Sequence, residues 1–313
     1  MKKEIYLFMF VMILVLLVGF VSAGFFDDFY ARITGKDTVG TASLNVTIGN
    51  AAPTISFVAA IPAITPEESG VNYTSFIVNV TDSDGVDNID DNSVEARFEL
   101  SGETTRVNTS CILLADIDAN SANYSCTVGL YYFDKNDASW TVNVTAIDAN
   151  SARGINSSTT VQFSLLTSMV TGGALAWATL GLSATNTGAD NNPIIVNNTG
   201  NDIDLSINIT AFDLEGLSTP GEFISAINIS VENITAGCTG AFSVKMINGT
   251  NPAVDRTNIT SAILQNGNNS LSNGDATSGQ EELFFCITAV NSDLSAQDYS
   301  SDSYGSWSIL IIT

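Results

Sequence analysis

Residues 139–148 read SWTVNVTAID, and the fold follows from how that run is read. Trp140, Val142, Val144 and Ala146 alternate with Thr141, Asn143 and Thr145. A period of two is that of a strand with one buried face and one wet face, because successive side chains of extended backbone point to opposite sides. The phrase recurs. In residues 75–82, SFIVNVTD, Phe76, Val78 and Val80 oppose Ile77, Asn79 and Thr81; in residues 204–213, DLSINITAFD, Leu205, Ile207, Ile209 and Ala211 oppose Ser206, Asn208 and Thr210. An aspartate follows each run, at Asp148, Asp82 and Asp213. The chain therefore contains a repeated unit, a strand of the form apolar-Asn-apolar-Thr closed by an Asp-bearing turn.

The same reading places further strands at 44–48, 54–58, 94–100, 161–165, 175–180, 194–197, 224–230, 242–246, 283–290 and 307–312, separated by clusters of Gly, Asn, Asp and Ser. Many short strands with little helical periodicity predict an all-β chain built as β-sandwiches. Strong final strands near Leu166 and Ile312, with the small, polar joint TSMVTGG between them, divide it into sandwiches over 51–166 and 167–313.

Ahead of these lies a different composition. Lys2 and Lys3 precede an uncharged apolar run from Ile5 to Val21, closed by Ser22 and Ala23. That is the layout of a secretory signal peptide, 1–23, cleaved after Ala23; the rival is a retained anchor, since the run is long enough to just span a bilayer core. No later segment is long and apolar enough to cross one as a helix. A lead segment, 24–50, follows, in which Phe25, Phe29 and Ile33 stand four apart, as on a short amphipathic helix that lies on a membrane surface, docks on a domain, or is a frayed linker. Membrane contact is expected only through the signal segment or this helix.

In an exported chain the four cysteines, Cys111, Cys126, Cys238 and Cys286, are expected to be oxidised. Nearest-neighbour pairing gives each half one bridge; zinc is disfavoured because the chain has no histidine and no CxxC spacing. The net charge of −23 with only 14% charged residues reflects scarce Lys and Arg, which makes nucleic acid an improbable partner.

Several phrases resemble a known group: NAAPTISFV (50–58), VNVTDSDG (78–85), NYSCTVGLYYFDKNDASWTVNVTAIDANS (123–151) and TVQFSLL (160–166). They are similar to the immunoglobulin-like, PKD-like or cadherin-like modules of archaeal surface and S-layer-type proteins. Residues 192–216 and 304–313 resemble a second sandwich of such proteins. The resemblance implies an extracellular structural or adhesive role and no catalytic residues. It departs from the antibody pattern, since Trp140 follows both cysteines of its half instead of standing between them.

Three constellations bear on chemistry. Asp82, Asp84, Asp87, Asp90 and Asp91 crowd one short stretch, and calcium favours six to eight oxygens at roughly 2.3 to 2.6 Å. The EF-hand spacing fails, because Gly85 comes early and Ser93 stands where the bidentate Glu belongs. The competing expectation is a plain turn in which Asp side chains bond their own backbone. Asp202 and Asp204 form a second, smaller acidic pair. Next, fourteen N-x-[ST] sequons are present, at Asn45, Asn72, Asn79, Asn108, Asn123, Asn143, Asn156, Asn197, Asn208, Asn228, Asn233, Asn248, Asn258 and Asn268. A strand with an Asn/Thr wet face writes this motif automatically, yet such a face points at solvent, where a glycan fits. Finally, Trp140, Trp177 and Trp307, or Tyr131, Tyr132 and Phe133, are the rings available to stack on sugars.

No Ser/His or Cys/His pair can be assembled without histidine, and no phosphate-binding glycine loop is present. The expectation is a cell-surface structural or adhesive protein, without catalytic activity or a required cofactor, that contacts other surface proteins, glycans or itself. Two alternatives stand beside it. One is a filament or surface-layer subunit in which residues 41–50, TASLNVTIGN, complete a neighbour's sheet, the competing reading being that they form the first strand of their own domain. The other is a carbohydrate-binding module.

Overall fold

The computed structural model describes residues 45–234, 238, 240–251, 254–266 and 279–313. The signal peptide, the expected helix with Phe25 and Ile33, Leu44 and Asn268 lie outside them. Residues Asn50–Thr313 form one compact all-β unit, and among the described residues no helix is long and apolar enough to cross a membrane.

Its first half holds eight strands: β1 (Thr54–Val58), β2 (Val71–Thr81), β3 (Glu95–Glu99), β4 (Arg106–Asn108), β5 (Ile112–Asp118), β6 (Ser121–Tyr131), β7 (Asp137–Ile147) and β8 (Arg153–Phe163). They form two four-stranded antiparallel sheets, ordered β1-β2-β6-β5 and β4-β3-β7-β8. The alternation read from sequence sets which side chains face inward. Phe76, Val78 and Val80 of β2 and Trp140, Val142, Val144 and Ala146 of β7 are all buried between the sheets. The β2–β6 ladder runs unbroken from Val71↔Tyr131 to Thr81↔Ser121, so every inward residue of β6 (Ala122, Tyr124, Cys126, Val128, Leu130) falls in register with the core.

The second half carries twelve strands among the described residues, most of them shorter. They are β9 (Met169–Thr171), β10 (Thr185–Gly188), β11 (Ile194–Asn198), β12 (Leu205–Thr210), β13 (Leu214–Gly216), β14 (Phe223–Ile224), β15 (Ile229–Glu232), β16 (Val244–Lys245), β17 (Thr257–Leu264), β18 (Gln280–Ala289), β19 (Tyr299–Ser300) and β20 (Ser308–Ile312). One sheet runs β16-β15-β18-β11-β9 with β10 also on β18; a second is β17-β12-β20; a third, small one is β14-β13-β19. A separate core lies among them, with Ile207, Ile209, Ile229, Leu283 and Phe285 fully or almost fully buried.

Several expected strands are different in the structure. Residues 45–48 are exposed and pair with nothing among the described residues. Residues 175–180 run without strand pairing, held to the β10–β11 turn by Ala176 N donating to Asn191 Oδ1 at 3.0 Å and Asp190 N donating to Ala176 O at 2.9 Å. The expected strand 224–230 is interrupted by the 3-10 turn Ala226–Asn228, because Asp213 Oδ1 accepts the Ala226 amide at 2.7 Å. Strands β4, β5, β6, β9, β10, β13, β17 and β19 are not among the expected elements.

The two cores meet at a polar joint. Asn201 is 1% exposed; its Nδ2 donates to Asp134 O and Ser164 O at 3.1 and 3.0 Å, and its Oδ1 accepts the Leu166 amide at 2.7 Å. Thr199 Oγ1 donates to Glu68 Oε1 at 2.7 Å, and Asn266 Nδ2 to Phe133 O at 3.1 Å. Hydroxyl bonds from Ser168 and Thr199 hold the Glu68 carboxyl below its ordinary range. Gly200 is required here, since a Cβ would stand 2.0 Å from Leu166 O. Asn201→Ala strands one buried amide and two carbonyls, so it is expected to cost about 2 kcal/mol in chemical denaturation and to make residues 164–168 more open to limited proteolysis.

Both disulfides pair nearest neighbours, Cys111–Cys126 and Cys238–Cys286. The first lies inside the core, where the chain crosses from β4 in one sheet to β5 in the other. The second lies on the face of β18 opposite Phe285 and Ile287, with Ser230 Oγ donating to Cys238 O at 3.2 Å, so Cys238 covers that face. Replacing both cysteines of a pair by serine is expected to cost roughly 3 kcal/mol for the 15-residue separation and roughly 4 kcal/mol for the 48-residue one, read from denaturation midpoints.

Candidate functional site

The acidic stretch is a set of closed turns. Asp82 is fully buried at the end of β2; its Oδ1 accepts the Asp84 amide at 2.9 Å and its Oδ2 accepts Asn88 Nδ2 at 3.3 Å. Gly85, at φ 119°, makes the reversal that a side chain would strain. Asp84 Oδ2 accepts the Ala51 amide at 2.7 Å, Asp90 Oδ1 accepts the Asn92 amide at 3.1 Å, and Asp91 Oδ1 accepts the buried Tyr124 hydroxyl at 2.6 Å. Asp87 sits in the 3-10 turn Val86–Asn88. Four of the five carboxylates thus have separate protein donors. Among the described residues no group of three or more acidic or sulfur side chains is gathered as a metal site would need.

The matching aspartates do the same work. Asp148 Oδ1 accepts the Asn150 and Ala152 amides at 2.9 and 2.8 Å, while Oδ2 accepts Asn50 Nδ2 at 2.7 Å. The Asn50 bond, seconded by the backbone amides, holds the Asp148 carboxyl below its ordinary value. Asp213 takes Ser225 Oγ, the Ala226 amide and Asn248 Nδ2. Asp202 and Asp204 do not form an acidic pair at the joint: Asp202 accepts Thr167 Oγ1 and Asp204 accepts Gln265 Nε2.

Of the sequon asparagines, Asn45 and Asn258 are exposed. Asn79, Asn123 and Asn143 stand half-buried on the outer faces of β2, β6 and β7, and Asn72, Asn108, Asn156, Asn197, Asn228 and Asn248 are also half-buried. Two sites need correction. Asn208 is 7% exposed and Asn233 2%, the latter donating to Ser261 O at 2.7 Å, so neither leaves room for a glycan. The expectation failed at Asn208 because β12 is a central strand between β17 and β20 and is buried on both faces.

The aromatic candidates disperse. Trp140 is buried, its Nε1 donating to Lys135 O at 2.9 Å. Tyr132 is buried, and Arg106, paired with Asp134, lies 4.4 Å from the Tyr131 ring centre, covering the exposed member of that trio. Trp177 and Trp307 instead line a cleft of about 1050 Å³ in the second half, together with Ile194, Ile209, Phe285 and Ile309. Nothing in the sequence marked this cleft, because its walls come from positions more than a hundred residues apart. On the sheet's other face Glu232 is 2% exposed, and burial raises its carboxyl above the ordinary value.

A scan against protein-family models and a search of the curated proteins return no match to this chain. The lowered Asp148 value sets a pH dependence. Its contribution is complete above the unfolded value of 3.8 and is lost as pH falls through the lower folded value. The gap in melting midpoint between Asp148→Asn and the parent is therefore expected to be widest near neutrality and to close on acidification.

Proposed function

We propose that this chain is an exported structural or adhesive protein of a cell surface, without catalytic activity, that makes its contacts through the outer faces of its sandwiches. The observation that carries this reading is the outer face of the β2–β6 pair. Ser75 and Thr127 hydroxyls meet at 2.6 Å, Asn79 Nδ2 donates to Asn123 Oδ1 at 3.4 Å, and Thr81 meets Ser121 at 3.3 Å. Such a ladder is a hydrated, neutral surface suited to hydrogen bonding with protein or glycan, and it places sequon asparagines toward solvent.

Other observations support the same reading. The carboxylates nearest in sequence are spent on turns, which removes them as proton shuttles. Two disulfides suit an oxidising compartment outside the cytoplasm. The resemblance to archaeal surface modules points the same way. Partners of this chemistry are other surface proteins, glycans, or further copies of the chain.

The test is fractionation with intact mass, using the chain expressed with its own leader in a host that glycosylates exported proteins. The expected product is surface-associated or secreted, starts near Gly24, and is heavier than its bare polypeptide, with glycopeptides at Asn79, Asn123 or Asn143. A cytoplasmic product, or an exported one whose mass equals the bare chain, overturns the export or the decoration respectively.

A further inference from the structure

Residues 45–49 carry a strand pattern with nothing to bury against. Val46 and Ile48 are 76% and 89% exposed, and they alternate with Asn45, Thr47 and Gly49. None of the five is charged, and none pairs in a sheet among the described residues. A period-two segment left wholly in water forgoes the burial that its pattern fits.

The second half presents the complementary defect. An open cleft of about 1050 Å³ lies in that half, with Trp177, Trp307 and Ile309 among its lining side chains. One wall of this cleft is β20, which pairs with β12 along one edge only; among the described residues its other edge has no partner. A free edge beside a cleft that holds Trp177, Trp307 and Ile309 is a geometry that accepts an added strand: the edge supplies main-chain hydrogen bonds and the cleft takes alternate side chains.

We propose that residues 45–49 of one copy add as a strand to the free edge of β20 in a second copy, with Val46 and Ile48 entering the cleft. The proposal rests on the surface-protein reading and names a further copy of the chain as the partner.

Chain reach makes the pairing intermolecular. Asn50, which ends the segment, is bonded to Asp148, and the next amide, Ala51 N, to Asp84. These contacts lie at the Thr81 end of β2. The second half attaches at the other end of that strand, where the Ser69 amide donates to Thr199 O at 3.1 Å. The eleven residues of β2 span about 35 Å, whereas six residues reach about 20 Å when fully extended. The segment therefore cannot reach the cleft of its own chain. Donor at one end and acceptor beyond the other make a head-to-tail contact, whose product is an open filament where the rotation between copies does not close a ring. Copies of net charge −23 repel one another, so assembly is favoured by added salt.

The experiment uses the exported full chain and a Val46→Asp, Ile48→Asp variant, compared by light scattering and negative-stain microscopy at low and high salt. A synthetic peptide of residues 41–50 is added to the variant, with hydrogen exchange read at 308–312. Expected are filaments of the parent that lengthen with salt, a monomeric variant with an unchanged melting midpoint, and several-fold slower exchange of the β20 amides when the peptide is bound. Three results overturn the proposal. A parent that stays monomeric at every salt concentration shows that no assembly occurs, and a variant that still polymerises shows that another surface joins the copies. A variant whose first melting transition drops shows that the segment is a strand of its own sandwich. An exported, glycosylated monomer would leave the surface reading standing while ending this one.

Discussion

A backbone amide that leaves a strand must be paired somewhere, and this chain meets that constraint with carboxylates. Asp82, Asp148 and Asp213 each close a strand of the repeated phrase by accepting backbone or side-chain donors, and Asp134 accepts the Tyr131 amide at the end of β6. The consequence is an acidic protein that needs few cations. Of these aspartates Asp134 alone also pairs with a cation among the described residues, Arg106, and the others are held by neutral N–H and O–H groups, so a net charge of −23 coexists with ordered turns. In the crowded acidic stretch the same use directs four of the five carboxylates at separate donors.

How much of this could be read in advance depended on whether the signal was local. Alternation in SFIVNVTD and SWTVNVTAID gave β2 and β7 their inward and outward faces, since the pleat alone decides them. Alternation in DLSINITAFD gave the inward face of β12 but misjudged the other, because burial of Asn208 depends on the neighbours β17 and β20. The acidic turn was legible as one of two readings, and the Asp148 and Asp213 parallels pointed to the turn. The cleft was not legible, as its walls join residues from Ile194 to Ile309. Residues 175–180 carry apolar side chains at strand-like positions, and only the Asn191 contacts settle that they lie unpaired beside the cleft.

The two halves solve the problem of a small sandwich core differently. The first fills the space between two four-stranded sheets with Trp140, Tyr124, Phe98 and Phe163 and places its disulfide inside, where it also locks the crossover between sheets. Those rings fill the space between its sheets, while Phe57, Tyr73 and Ile112 stay exposed on its outside, so the outer faces carry apolar as well as polar groups. The second half puts its disulfide on the outer face of β18 and carries an open cleft beside its buried core. Shorter strands and a short edge at β20 mean that fewer ladder bonds hold its sheets in place, so it is the half in which an added strand gains most. A first sandwich preceded by the exposed, uncharged residues 45–49, and followed by a second sandwich whose β20 has an open edge among the described residues, gives the proposed donor and acceptor a separation set by the length of β2. In the proposed pairing that separation, set by one eleven-residue strand, favours joining between copies over closure within one chain.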